Sequence, residues 1–131
     1  MTVVGVGVDL VHVPSFVDQL DLPGTRFEGA FLPGELRDAR GRTTDPGRHL
    51  AARWAAKEAV VKAWSASMHG EAPVMSEHVH RLIELVADAW GRPRIRLHGE
   101  VARHLTGHAL EVSLSHDGDY AIAYVVLTDR A

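Results

Sequence analysis

Residues 2–12 read TVVGVGVDLVH, a β-branched run whose alternation places Val4, Val6, Val8 and Leu10 on one side and Val3, Gly5, Gly7 and Asp9 on the other. This period of two predicts a buried strand. Glycine inside a strand marks close approach by another backbone or by a ligand, so Asp9 ends a face stripped of side chains. Pro14-Ser15 opens a short helix to Leu20, which Leu22-Pro23-Gly24 ends, and Pro33-Gly34 precedes a short helix from Glu35. Residues 41–47 read as a polar linker. The clearest helix is residues 48–67, RHLAARWAAKEAVVKAWSAS, rich in strong helix formers and opened by Asp45-Pro46. Ala52, Ala56, Ala59 or Val60, and Ala63 form a small-residue stripe suited to close packing, and Trp54, Glu58, Lys62 and Ser65 recur on another face.

Beyond a Gly/Pro-containing break at 69–76, one helical turn is expected at 77–81. Strands follow at 82–87 and 94–98, joined as a hairpin by DAWGRP. A short helix at 100–105 stops near Gly107. Two last strands, 109–115 and 120–128, flank HDGD, which has the composition of a tight antiparallel turn. The pattern predicts an α+β fold with a mainly antiparallel sheet wrapped on the 48–67 helix. A chain of 131 residues fits a single domain over 1–131.

Composition narrows the chemistry. With 14 Lys+Arg against 17 Asp+Glu, the net charge of −3 argues against a nucleic-acid binder with a domain-wide basic field. No stretch reaches the roughly 18 apolar residues of a membrane span, and a cytoplasmic protein is expected. There are no cysteines, which removes thiolate nucleophiles and cysteine-based metal sites. The charge is unevenly spread: residues 1–22 carry −3, residues 23–66 carry +3 and residues 67–131 carry −3. Of the 14 basic residues only Lys57 and Lys62 are lysines, kept together in the long helix.

GVGVDL lacks the third glycine and the βαβ setting of a dinucleotide loop. Asp9 is suited to holding a hard cation through oxygen or to capping the next turn. Glu58 and Lys62 at i and i+4 make an ordinary helix pair worth about 0.2–0.5 kcal/mol, yet they share a face with a tryptophan. With Asp9 they give two carboxylates and an ammonium, a set suited to a magnesium ion bridging a pyrophosphate. The nine histidines hold no HExxH, and the pairs His78/His80 and His104/His108 read as solvated rather than as zinc ligands. Ser115-His116-Asp117 is not a catalytic triad, because adjacent side chains on extended backbone point apart. Hydroxyl and imidazole towards a phosphate and a plain turn are the two readings of this string.

GVGVDLVHV at the N-terminus, WAAKEAVVKAW near residue 60 and VSLSHDGDYAIAYVVL at the C-terminus, with RFEGAFLPGEL and WGRPRIRL between them, follow in an order that resembles the holo-[acyl-carrier-protein] synthase family. This is the short bacterial type of 4′-phosphopantetheinyl transferase, and the likeness runs nearly end to end. The resemblance implies transfer of phosphopantetheine from coenzyme A to a serine of an acyl carrier protein, with release of adenosine 3′,5′-bisphosphate, in support of fatty acid synthesis, with polyketide carriers open as well. By the same resemblance Asp9 and Glu58 hold Mg²⁺ against the pyrophosphate, and Lys62 neutralises charge developing on the phosphates. Where larger members have a third carboxylate, this chain has Val11. The serine's base is Glu58 or a water on the ion. Arg53, Ser115 and His116 are candidates for the nucleotide phosphates, and Arg92-Pro93 for the adenine side.

The resemblance further implies a homotrimer with the active site across a subunit interface, one subunit giving Asp9 and the helix and another closing the coenzyme A pocket. The first helix, where the family places basic carrier contacts, reads PSFVDQLDL and has no Arg or Lys. Arg26, Arg37, Arg40, Arg42 and Arg48 are the substitute docking residues expected for an acidic carrier. Two rivals remain: a non-catalytic coenzyme A or nucleotide-binding module of the same fold, and a metal-dependent pyrophosphate hydrolase.

Overall fold

The 22-residue helix α3 (Pro46–Ser67) is the axis of the molecule. Asp45 accepts the Arg48 backbone N–H at 3.1 Å and Pro46 occupies the first turn, so the helix starts two residues before the expected Arg48. In this computed structural model, residues 1–25, 27, 29–42 (Arg42 through its backbone) and 44–130 are described.

Strand β1 (Thr2–His12) crosses α3 and has the predicted bounds. A Cβ on Gly5 would lie 2.0 Å from the Ala63 carbonyl oxygen, and one on Gly7 2.0 Å from that of Ala59. The glycines therefore admit another backbone, the first of the two expected alternatives, and the Ala stripe of α3 is its counterpart, with Ala52, Ala56, Ala59 and Ala63 all buried. β5 (Tyr120–Asp129) pairs antiparallel with β1 and with β4 (His108–Asp117), giving the order β1-β5-β4. The β4–β5 turn is closed by Gly118 at φ +55°. A register shift between Val3 and Gly5 interrupts the β1 pairing.

The expectation of a buried strand holds for one face of β1 and is corrected for the other. The face bearing Gly5, Gly7, Ala121, Ala123, Val125 and Leu127 packs on α3, while Val6, Val8, Leu10, Tyr120, Ile122 and Tyr124 are exposed on the other face. Registered neighbours share a face, so these six side chains form one apolar surface. The sheet is also in two pieces rather than one. β2 (Ile83–Ala87) and β3 (Pro93–Leu97) form a separate antiparallel hairpin, preceded by a 3₁₀ turn at Val79–Leu82.

The remaining helices are α1 (Val13–Leu20), α2 (Pro33–Arg42) and α4 (Gly99–His104). α1 is capped by a histidine: the His12 ring nitrogen accepts from the Ser15 N–H at 3.4 Å. α2 runs into the segment expected as a linker. Phe16 and Phe27 meet edge-on at 4.8 Å and Phe27 and Trp54 at 4.9 Å, docking α1 and the following loop on α3. Among the described residues no helix is long and apolar enough to cross a membrane.

Candidate functional site

Asp9 lies on the glycine face of β1 and is thereby brought to the side of α3. There the Lys62 ammonium donates to Asp9 Oδ1 at 3.1 Å and to the Val8 carbonyl at 2.9 Å. Glu58, one turn earlier on α3, lines with Asp9 a cavity of about 210 Å³ to which His12, Ser15 and Trp54 also contribute. The Asp9 and Glu58 side chains keep 16% and 20% of their exposure, sheltered yet in contact with this opening. Two hard oxygen donors on one small cavity, with an ammonium at its edge, fit a magnesium ion that completes its shell with phosphate and water. The carboxylate pair and Lys62 expected from the sequence are thus assembled within one chain.

The two lysines have different tasks. Lys57 is fully buried and its ammonium donates to Glu35 Oε1 at 2.7 Å, to the His80 carbonyl at 3.1 Å and to the Ile83 carbonyl. Glu35 in turn accepts the Leu32 and Leu85 backbone N–H groups, each at 3.1 Å. Burial pushes the Lys57 pKa down and the Glu35 carboxylate opposes that shift. The pair binds α2 and β2 to α3 and takes no part in the Asp9 cavity. Lys62, with half its side chain in solvent, is the lysine available to a substrate.

A second cavity, of about 380 Å³, lies between α3, the β2–β3 hairpin and β4. Arg53, His49, Pro93 and His116 line it, so three of the expected nucleotide-binding residues meet. Arg53 is 2% exposed and donates to the Leu85 carbonyl at 2.6 Å and to Asp38, so its charge is already countered and the residue also braces α2 and β2. Ser115 departs from the expectation that paired it with His116. It registers with Ile122 on the exposed sheet face, whereas His116 registers with the buried Ala121, because strand alternation separates adjacent residues. Arg92 departs from the expectation that placed it here with Pro93 and does not line this cavity: it lines a separate one with Asp88, Arg94 and Arg96, where its Nε donates to Asp88 at 2.6 Å and its guanidinium lies 5.1 Å from the Trp90 ring centre.

Shielding of the ring, and secondly the Arg48 guanidinium, hold the His116 pKa below the usual imidazole value. An imidazole so lowered is mainly neutral near pH 7. Asp88 is also held below the usual carboxylate range, first by the Arg92 backbone N–H and then by its guanidinium.

Of the expected docking arginines, Arg26 and the Arg42 side chain lie outside the described residues. Arg37 and Arg40 are exposed on α2. Arg40 borders a third cavity, of about 520 Å³, whose apolar wall includes Val17 and Leu20 of α1 and Phe27, Phe31 and Leu36. Arg48 reaches instead to the Gly118 carbonyl at 2.5 Å.

His80 was expected as a solvated turn residue. Its ring is instead 2.6 Å from Glu58 Oε1 and packed on Trp54 at 4.6 Å between centres. The Glu35–Lys57 link was likewise unmarked in the sequence, since residues 22 apart on separate helices carry no periodic signal. The one available clue was the rarity of lysine.

The 4′-phosphopantetheinyl transferase superfamily model matches residues 5–125. The holo-[acyl-carrier-protein] synthase of Mycobacterium ulcerans is 56% identical over 127 residues, covering 97% of this chain and 98% of its own. Among solved structures, the Mycobacterium tuberculosis acyl carrier protein synthase has a TM-score of 0.82 at 48% identity, covering 97% of this chain and 98% of its own. The Chronobacterium ammoniagenes ACPS–CoA complex has a TM-score of 0.88 at 44% identity with the same coverage.

Proposed function

The chain belongs to the 4′-phosphopantetheinyl transferase superfamily, in its holo-[acyl-carrier-protein] synthase branch, and on that premise we propose how its residues carry phosphopantetheine from coenzyme A to an acyl carrier protein. The observation that carries the reading is the assembly of Asp9, Glu58 and Lys62 at one small cavity. The serine oxygen of the carrier attacks the pantetheine-bearing phosphorus of coenzyme A. The P–O bond to the nucleotide-side phosphate breaks, and adenosine 3′,5′-bisphosphate leaves with the electron pair. The serine proton passes to Glu58 or to a water that Glu58 orients. Lys62 stabilises charge on the transferring group electrostatically.

Asp9 and Glu58 are the residues that would hold Mg²⁺. Bound there, the ion supplies charge neutralisation across the pyrophosphate. Arg53, His49 and His116 line the cavity proposed for the nucleotide phosphates, with Arg92 and Pro93 beside the adenine and Ser115 assigned to the sheet face. Intact protein mass of an apo carrier after incubation with enzyme, coenzyme A and Mg²⁺ tests the reading. A phosphopantetheine adduct is expected, and coenzyme A binding without any adduct would favour the non-catalytic module.

A homotrimer is part of the proposal. The apolar sheet face of Val6, Val8, Leu10, Ile122 and Tyr124 supports it, since monomers rarely leave such a surface open. So does the distribution of the site, whose carboxylate cavity and His116 cavity have no lining residue in common among those described. One subunit's Asp9, Glu58 and Lys62 would face the His116 cavity of the next. A single hydrophobic cluster that includes both Val11 and Leu127 supports reading residues 1–131 as one domain. The exposed Arg37 and Arg40, beside the apolar cavity of α1 and α2, are the proposed dock for an acidic carrier. We assign the reaction to the cytoplasm, in service of fatty acid synthesis.

A further inference from the structure

We propose that His80 is a positioning residue for Glu58, fixing the orientation in which that carboxylate shares a cavity with Asp9. The inference rests on the assignment of Glu58 to the metal site. An ionised carboxylate only accepts hydrogen bonds, so His80 donates from Nε2 to Glu58 Oε1 across 2.6 Å. Both side chains are about four-fifths buried, at 19% and 20% exposure, which keeps water from competing for the contact. The residue is held at two other points, one on its main chain and one on its ring. Its face packs on Trp54 at 4.6 Å and 30°, and its own backbone carbonyl accepts from the buried Lys57 ammonium at 3.1 Å.

Lys57 and Glu58 are consecutive on α3, so one helical turn grips His80 at the main chain and at the ring. The result is a chain of fixed contacts from the Glu35–Lys57 pair through His80 to Glu58. A carboxylate on the free side of a helix samples several rotamers, and one tied by an outer hydrogen bond presents its oxygens in a set direction. Such outer contacts are worth about 10–100-fold in metal affinity at other sites. His80 would leave coenzyme A and carrier untouched, because its reach ends at Glu58.

The test reads Mn²⁺ binding by electron paramagnetic resonance, with full-length protein in excess, coenzyme A present and no carrier, so that no turnover occurs. His80→Phe keeps a ring against Trp54 but has no donor, and His80→Gln keeps an N–H that reaches Glu58. Phe is expected to weaken Mn²⁺ binding about tenfold, and Gln to restore most of it. In transfer assays the KM for metal should rise in H80F while kcat at saturating metal is largely kept. Wild-type Mn²⁺ affinity in H80F, alongside a clear loss in Glu58→Gln, would overturn the role of His80. Wild-type affinity in both would overturn the assignment of Glu58 itself. Should H80F fail to fold, the pair His80→Asn and His80→Gln decides: only Gln spans the gap, so equal affinities would contradict the proposal.

Discussion

Glu58 and Lys62 differ from Lys57 in what their loss removes. Glu58→Gln and Lys62→Ala are expected to lower transfer by about 10²-fold or more with little change in melting temperature, because they act on developing charge. Wild-type turnover in either variant would contradict the site. Lys57→Met should instead destabilise by about 3–5 kcal/mol, since it leaves the Glu35 carboxylate buried and uncompensated. Urea denaturation at fixed protein concentration reads this, and an unchanged midpoint would contradict it. His116 supplies a pH test. Its folded pKa is depressed, so the folded state binds fewer protons than the unfolded one, and stability falls as pH drops from about 6.5 towards the lowered value. An NMR titration should place the His116 midpoint below the ordinary imidazole value of about 6.5, and adenosine 3′,5′-bisphosphate should raise it.

The contact of β1 with α3 is the element on which the site depends, because it alone carries Asp9 to Lys62 and Glu58. Gly7→Ala would put a methyl 2.0 Å from the Ala59 carbonyl oxygen, and the main chain cannot yield as a side-chain tip can. A loss at or above the upper end of about 1–3 kcal/mol is expected, read by thermal melting, together with lost activity. An unchanged melting temperature would mean that the strand and helix are not in such contact. This element was largely legible in the sequence: a period of two with two glycines at one end, and an alanine stripe at helical spacing in the middle. The bounds of β1 agree, and α3 differs by its first turn, where Pro46 and Gly47 read as loop residues until Asp45 capped them. The split of the sheet was not legible, because alternation specifies a strand and one wet face but not its neighbour. Alternation did place Ser115 and His116 on opposite faces, whereas His80 was hidden, because its contacts with Trp54 and Glu58 form across a sequence gap. The residue types themselves marked Asp9, Glu58 and Lys62 as a set suited to magnesium and a pyrophosphate, and the family resemblance gave each of them its role in the proposed transfer.

The molecule as a whole presents two cavities with no lining residue in common among those described and an exposed apolar sheet face, which the proposed association would answer together. Ile122→Arg, at the middle of that face, is expected to yield monomer by sedimentation velocity and to abolish transfer. Mixed oligomers of Glu58→Gln and His116→Ala chains should recover activity that neither parent has, since an interface can then hold one intact half from each. No recovery would place the whole site within one chain. The net charge of −3 conceals a basic middle segment, and carrier affinity should fall as salt rises if Arg37 and Arg40 meet an acidic carrier. The most direct measurement remains the intact mass of an apo carrier protein after incubation with coenzyme A and Mg²⁺. Wild-type enzyme should add phosphopantetheine to every carrier molecule and Lys62→Ala to almost none over the same time. An unmodified carrier with the wild-type enzyme, or equal modification by both, would contradict the assignment of Asp9, Glu58 and Lys62 as the transfer site.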